Sequence, residues 1–158
     1  MTTSAERVSF FKEEVPVKLV NLTEETQANW GIMTPQHMLE HVEMVLLMML
    51  DKTDYPIMTP PDKLEKARAF LWNPEKTFRP NTQAPFLKGE LVPLKYENLN
   101  KAKSAVLAAI DRFYHTWEEQ PDLKTNHFSF GQLDMRDLEQ FQHKHFTHHF
   151  KQFGLIQP

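Results

Sequence analysis

The stretch DMRDLEQFQHKHFTHHFKQFG, residues 134–154, decides the fold because it carries the clearest helix boundaries in the chain. Asp134 can cap the start of a helix, and Asp137 follows at the third helical position, where a carboxylate favours the positive end of the helix dipole. Gly154 supplies the left-handed backbone conformation that commonly ends a helix. The stretch therefore predicts a long helix that ends at Phe153.

A helical projection places two histidines of this stretch in its apolar face. At about 100° per residue, with Leu138 at zero, His145 falls at about −20° and His149 at about +20°. His143 and His148 project nearer the edges of the apolar arc, which favours surface or boundary positions. A buried imidazole needs a partner for each nitrogen. Two interpretations of His145 and His149 follow. They are either core residues whose nitrogens bond to backbone carbonyls, or ligands of a metal that binds one nitrogen of each ring.

The rest of the chain also predicts helices rather than strands. Thr34 as an N-cap and Pro35 at the first helical position begin a second helix that continues to about Asp51. No segment alternates convincingly with a period of two, so strands should be few or absent. Further helical segments are predicted within Ala5–Leu22, where Pro16 interrupts the helix, over Asp62–Trp72, and over Leu99–Glu119.

The connection between the second and third long helices is unusually long. Residues from Asn73 to Glu97 include four prolines and predict an irregular loop of a kind that is often a functional lid. Long amphipathic helices joined by loops pack most economically as an antiparallel bundle. We therefore predict a single domain over residues 1–158 with an all-α, antiparallel four-helix fold.

Composition excludes several classes of partner and site. The net charge of −3, with no basic stripe, argues against nucleic-acid binding. The longest apolar stretch, Val42–Leu50, is interrupted by Glu43 and is far too short to span a membrane. The N-terminus lacks a secretory pattern, so we expect a soluble, cytoplasmic protein. Because there is no cysteine, a metal site must use imidazole or carboxylate ligands.

A third ligand should come from another inward-facing helix surface. His41 lies away from the polar arc of the second helix, among its methionines, and is the one residue there that core filling does not explain. His37 also lies on this helix, but in its first turn, where the positive helix end disfavours a bound cation. We place His37 at the pocket edge. His115 should be a packing or surface residue, and His127 could reach the mouth of the bundle.

Two segments resemble a known family. The stretch WGIMTPQHMLEH, residues 30–41, and the stretch HFTHHFKQFGL, residues 145–155, are similar to the DinB/YfiT-like superfamily, and more narrowly to its DUF1569 branch, whose function is unassigned. The similarity spans residues 30–155 and is weak in the proline-rich middle. Two positions depart from the branch: Phe128 stands where proline is common, and His37 replaces an expected glutamine.

The resemblance implies a four-helix bundle that holds a divalent metal with His41, His145 and His149. These are the histidines that the projection selects. Imidazole ligands suit zinc or nickel, and also iron. Several relatives are implicated in transferring a low-molecular-weight thiol onto electrophiles, which implies by analogy a thiol cofactor here. Pairing into a homodimer is a further expectation carried by the resemblance.

Three functional hypotheses follow from these residues. Three imidazoles leave a divalent ion with an open position, which is typical of a metal-dependent transferase or hydrolase acting on a small molecule. In such an enzyme, Gln152 could orient a ligand ring, and His127 or His37 could move a proton. The second hypothesis is a non-catalytic metal- or small-ligand-binding protein. In the third, the histidines are structural and bind no metal.

Overall fold

The computed structural model describes residues 2–82 and 89–158. Helical segments account for most of the ordered elements, and one short hairpin precedes the last helix. The described elements are α1 (Ser4–Ser9), a π-helical turn (Phe10–Glu14), α2 (Val15–Val20), α3 (Pro35–Asp51), a 3-10 turn (Pro61–Lys63), α4 (Leu64–Trp72), α5 (Leu99–Glu119), β1 (Lys124–His127), β2 (Gly131–Asp134) and α6 (Met135–Gln152).

The N-terminal helix does not break at its proline. Pro16 has no N–H to donate to the carbonyl four residues earlier, and its ring crowds that carbonyl. A π-helical turn accommodates the proline. In this turn the Val15 N–H donates to the Phe10 oxygen, five residues earlier in the chain. The predicted interruption at Pro16 is therefore a change of helix type, and the helical path continues to Val20.

The capping signals of the longer helices are confirmed. The Thr34 hydroxyl accepts a hydrogen bond from the His37 N–H at the start of α3, and Asp134 accepts one from the Asp137 N–H at 2.8 Å at the start of α6. The observed bounds of α3 and α5 are those predicted. Gly154, with φ of +69°, follows the end of α6, which stops at Gln152, one residue before the predicted Phe153. Local signals therefore placed these helices correctly.

The prediction of an all-α four-helix bundle is wrong. Strands β1 and β2 pair antiparallel, with Thr125 opposite Leu133 and His127 opposite Gly131. Each strand has only four residues, and Leu133 is the only large apolar side chain that the pair buries. So short a segment gives almost no period-two signal, and hydrogen bonds to the rest of the chain must stabilise it.

Those hydrogen bonds come from the segment that follows α3. The Asn126 N–H donates to the Thr53 oxygen at 2.9 Å, and the Met58 N–H donates to the Phe128 oxygen at 2.8 Å. The Thr59 hydroxyl also donates to a carbonyl of the hairpin turn, that of Ser129, at 2.8 Å. The hairpin is therefore held against the end of α3, and this contact positions His127.

The core lies between α3, α5 and α6, with α1 and α4 packed against α6. Residues 73–82 and 89–98 form neither helix nor strand, as predicted for the proline-rich connection, and residues 83–88 of that prediction lie outside the described part of the chain. Among the described residues, no helix combines the length and apolarity needed to cross a membrane.

Candidate metal centre

Helices α3 and α6 bring three histidine side chains together. The Nε2 atom of His145 lies 3.0 Å from Nε2 of His41 and 3.1 Å from Nε2 of His149. His145 and His149 are buried on adjacent turns of α6, and His41 faces them from α3. One ligand atom from each of the three residues lies within 4.8 Å of the others. The three residues predicted from the helical patterns therefore converge.

This arrangement could hold a metal ion. Imidazole nitrogens bind zinc at about 2.0–2.1 Å in tetrahedral geometry, which places two such nitrogens about 3.3 Å apart. Two of the three separations, 3.0 and 3.1 Å, are close to that spacing, and all three ligand atoms lie within 4.8 Å of one another. The three rings meet edge-to-face, with centroids 4.7–4.9 Å apart. The three nitrogens together could therefore hold a small cation.

Hydrogen bonding within the protein does not account for this cluster. A neutral imidazole carries one N–H, so His145 Nε2 can donate to only one of its two neighbours. If His145 Nε2 is instead unprotonated, its lone pair faces the lone pair of His149, whose proton lies on Nδ1, as the contact with Gln152 shows. Either tautomer leaves one contact unsatisfied. A cation would satisfy all three lone pairs together.

Burial keeps the three rings in the neutral form that binds metals. Desolvation lowers the pKa of His41 from 6.5 to about 4 and that of His149 to about 3. The pKa of His145 is also well below its usual value, first because of burial and then because of its two histidine neighbours. At neutral pH each ring therefore has a free lone pair available for a metal.

Gln152 orients His149 through its amide. Its Nε2 donates to the backbone oxygen of Trp30 at 3.0 Å, so its Oε1 faces His149 Nδ1 at 2.7 Å and accepts that proton. This hydrogen bond leaves His149 Nε2 unprotonated and pointing at the cluster. Gly31 allows the approach: its φ is +79°, and a Cβ there would lie 3.0 Å from Gln152 Nε2. The sequence suggested this role for Gln152 but not the part of Trp30 and Gly31.

We expect Gln152→Ala to weaken metal binding about 10- to 100-fold, the range observed when a hydrogen-bond partner of a metal-binding histidine is removed. The variant frees His149 to rotate and to adopt the other tautomer. Competition with a chelator would measure the dissociation constant. Gln140→Ala is the matched control, because Gln140 is also buried on α6 but bonds to the Leu71 oxygen. Equal weakening in both variants would assign the effect to helix stability.

Packing, rather than a hydrogen bond, holds His145. Its Nδ1 is buried and has no hydrogen-bond partner among the described residues. Its ring stacks on Phe141, with centroids 5.6 Å apart and planes 8° apart. Phe78 meets the edge of the same ring with centroids 6.3 Å apart. Phe78 was missed in the sequence, where its only signal is an aromatic residue within a polar, proline-rich segment.

The three histidines lie in the wall of a cavity of about 400 Å³. Most of the lining is apolar, and the polar side chains among its described residues are amides, hydroxyls, imidazoles, the Trp30 indole and one carboxylate, that of Glu90. A cavity of this size and chemistry is typical of a small-molecule site. The lining includes Trp30, Ile32, Met33, Val45, Met48, Met49, Phe78, Leu91, Phe128, Phe130 and Phe141.

Comparison with known proteins assigns no family. No family model matches the chain, and no curated protein and no solved structure matches it. The resemblance to the DinB/YfiT-like superfamily therefore remains a prediction from the two histidine-containing segments. The geometry of the three histidines and of their cavity supports the functional proposal.

His127 also lines the cavity, at the end of β1. Its Nδ1 accepts a hydrogen bond from the Ser129 N–H at 3.0 Å, so the proton of the neutral ring lies on Nε2. Phe141 and Phe130 contact the ring, with centroids 4.6 and 4.8 Å away. Burial lowers the pKa of His127 to about 4. At neutral pH it is therefore a hydrogen-bond donor, whereas the sequence suggested a proton carrier.

The pKa of His127 predicts a loss of stability in acid. In the unfolded chain His127 binds a proton below about pH 6.5, whereas the folded chain resists protonation until about pH 4. The free energy of unfolding should therefore fall between those pH values, by about 3 kcal/mol for this residue, and then level off. We expect His127→Gln in the metal-free protein to become more stable relative to wild type as the pH falls from 7 to 4.

Urea unfolding at several pH values measures this difference. His115→Gln is the control, because the His115 side chain is 67% exposed and pairs only with Glu119 on the surface of α5. Its free energy of unfolding should change with pH by the same amount as that of wild type. If the free energy of unfolding of His127→Gln also changed with pH as in wild type, His127 would not resist protonation in the folded chain.

The remaining histidines lie away from the cluster or at its edge. His37 caps the start of α3 with Thr34, its Nδ1 2.6 Å from the hydroxyl, and lines a second cavity of about 320 Å³. It does not line the first cavity, so the structure does not bring it to the metal centre. His143 packs against two phenylalanines of the π-helical turn. His148 is partly buried and lines the first cavity beside His149, with ring centroids 5.0 Å apart.

Proposed function

We propose that this protein binds one divalent metal ion through His41, His145 and His149 and uses it to act on a small molecule in the adjoining cavity. The convergence of three neutral imidazole nitrogens, with separations of 3.0 and 3.1 Å, carries this proposal. Protein hydrogen bonds cannot satisfy all three, and a cation can. The donor set of three imidazoles favours zinc or nickel, with iron as an alternative.

An open position on the metal separates a reactive centre from a structural one. Structural zinc sites are closed by four protein ligands, whereas catalytic sites have three protein ligands and leave a position for water or substrate. Among the described residues, the cluster consists of three histidines and includes no carboxylate that could act as a fourth ligand. Since all three line the cavity, a ligand there could reach the open position. A bound divalent ion would supply Lewis acidity at that place.

The protein groups around the centre have separate tasks in this proposal. Gln152 holds the His149 tautomer, and Phe141 holds the plane of the His145 ring. His127 presents an N–H that can bind an oxygen of the ligand. Most of the wall is apolar, which lowers the local dielectric and strengthens electrostatic interactions inside the cavity. Together these residues favour a metal-dependent enzyme over a metal-storage protein.

The reaction class that we propose is transfer or hydrolysis. Neither a phosphate-binding loop nor a Ser-His-Asp arrangement is present in the sequence, so chemistry would depend on the metal. The resemblance of the two histidine-containing segments supports transfer of a low-molecular-weight thiol, since a thiol could occupy the open position as its thiolate.

Metal analysis of the protein purified without an affinity tag tests the proposal. We expect one equivalent of divalent metal per chain after dialysis against zinc or cobalt. With cobalt, the visible absorption should be that of a four- or five-coordinate nitrogen-rich site and should change when a small ligand is added. Less than about one-tenth of an equivalent would contradict metal binding. A spectrum insensitive to every added ligand would favour a closed, non-catalytic site.

A further inference from the structure

The charge of the cavity wall points to a class of ligand. Among the described residues, the lining of the first cavity contains no lysine or arginine and one carboxylate, that of Glu90. Histidines that hold a metal bind it through an unprotonated nitrogen, so His41, His145 and His149 would add no charge of their own. The metal would therefore be the only full positive charge that this part of the wall offers to a bound molecule.

The arrangement of polar atoms agrees with this charge pattern. His127 offers a neutral N–H, and Ser129, Asn81 and Thr82 add hydroxyl or amide groups at the same wall. Such groups bind a carbonyl, ether or hydroxyl oxygen without requiring a charge on the ligand. The deeper surface is formed by side chains such as Val45, Met49 and Phe141, which are nearly inaccessible to solvent.

We propose that the cavity selects an uncharged, largely apolar molecule that carries one metal-binding sulfur or oxygen atom, and that it rejects ligands bearing a further anionic group. The inference rests on the proposed function, since it takes the metal to occupy the histidine centre. It narrows that function: the molecule that enters the cavity is an aromatic or aliphatic compound, and a phosphorylated or polycarboxylated molecule is excluded.

The physical reason is the cost of an unpaired charge. A thiolate or alkoxide at the metal is neutralised by the ion, but a second anion on the same ligand would lie against mainly apolar side chains, and the described part of the lining offers no lysine or arginine to pair with it. Glu90 would add repulsion. A buried polar group left without a partner weakens binding, and a charged one weakens it more, so we expect at least about a tenfold loss of affinity.

Two thiols of the same shape test the inference on the cobalt-loaded protein. The para-methyl and para-carboxylate derivatives of benzyl mercaptan share the ring and the sulfur, and differ in the charge at the far end. Sulfur-to-cobalt charge-transfer absorption reports their binding directly and requires no turnover. We expect the methyl derivative to bind at least about tenfold more tightly than the carboxylate. Equal or tighter binding of the carboxylate, or no binding of either thiol to cobalt-loaded protein, would overturn the inference.

A pair of surface variants locates the discrimination in the cavity. Ile32 lines the cavity yet is 67% exposed, so Ile32→Arg can place a cation at the wall without disturbing the core. Val20 is 76% exposed on α2 and does not line the cavity, so Val20→Arg adds the same charge elsewhere. We expect Ile32→Arg to lower the ratio of the affinities for the methyl and carboxylate thiols by at least about threefold. The new arginine would form a partly screened ion pair with the ligand carboxylate. Val20→Arg should leave the preference unchanged.

The two proposals fail in different ways. If cobalt does not bind, the proposed function is wrong, and the thiol titration has no metal signal to follow. If cobalt binds and both thiols bind to it with equal affinity, the metal-binding proposal is retained and the proposed ligand class is wrong. An equal response of the Ile32→Arg and Val20→Arg variants would show that overall charge, and not the cavity wall, sets the preference.

Discussion

His145→Ala is expected to lower the metal affinity by more than about 100-fold, beyond the range found for losing a hydrogen-bond partner of a ligand. His145 is the middle residue of the cluster, with its Nε2 within 3.1 Å of both other ring nitrogens. Without it, His41 and His149 could supply only two ligands, and two imidazoles rarely hold a divalent ion against water. His149→Ala should have a similar effect. Elemental analysis after dialysis, followed by chelator competition, measures both losses.

His143→Ala is the matched control for this loss. His143 lies on the same helix, two residues before His145, but its ring packs on Phe10 with centroids 4.7 Å apart and is not part of the cluster. Its removal should cost some stability and leave the metal content at the wild-type value. Equal metal content in His143→Ala, His145→Ala and His149→Ala would refute the assignment of the ligands.

Glu139→Ala is expected to destabilise the fold by about 3–5 kcal/mol, because it leaves a buried guanidinium without its partner. The side chains of Glu139 and Arg7 are 0% and 1% exposed, and Arg7 Nε donates to Glu139 Oε1 at 2.6 Å. The Tyr114 hydroxyl donates to the other carboxylate oxygen at 2.8 Å, and burial, followed by the charge of Glu139, raises the pKa of Tyr114. The carboxylate thus joins α1, α5 and α6.

Urea or thermal unfolding measures the effect, with Asp51→Ala as the control. Asp51 pairs with Arg112 on the surface, where both side chains are about half exposed, so its loss should cost less than about 1 kcal/mol. Replacing both charges, as Arg7→Met with Glu139→Leu, should recover most of the stability lost in Glu139→Ala. Similar losses for the surface pair and the buried pair would contradict this account.

The three candidate ligands could be found in the sequence because helical periodicity is a local property. His145 and His149 are four residues apart, and their places in the apolar face follow from their immediate neighbours. His41 was recognised in the same way, as an imidazole on the inward side of a methionine-rich helix. What the pattern could not provide was the distance between the two helices, since that depends on how their side chains pack.

The fold class could not be found by the same reasoning. At Thr34 and Asp134 the capping side chain accepts a hydrogen bond from a backbone N–H three residues later, so these helix caps can be recognised in the sequence. The β1–β2 hairpin is stabilised by hydrogen bonds to residues 53–59, about 70 residues earlier in the chain. Its own residues carry no period that distinguishes it from a loop. Predicting an all-α protein was therefore wrong at a hairpin whose structure depends on distant contacts.

By itself, the sequence determined the bounds of the long helices and the identity of the residues able to bind a metal, because capping, periodicity and side-chain chemistry act between near neighbours. Tertiary structure decided that His41 meets His145 across a separation of 104 residues, that Gln152 reaches the Trp30 backbone, and that the hairpin places His127 in the cavity. These contacts arise only when separate segments pack into one core, where burial also neutralises the imidazoles.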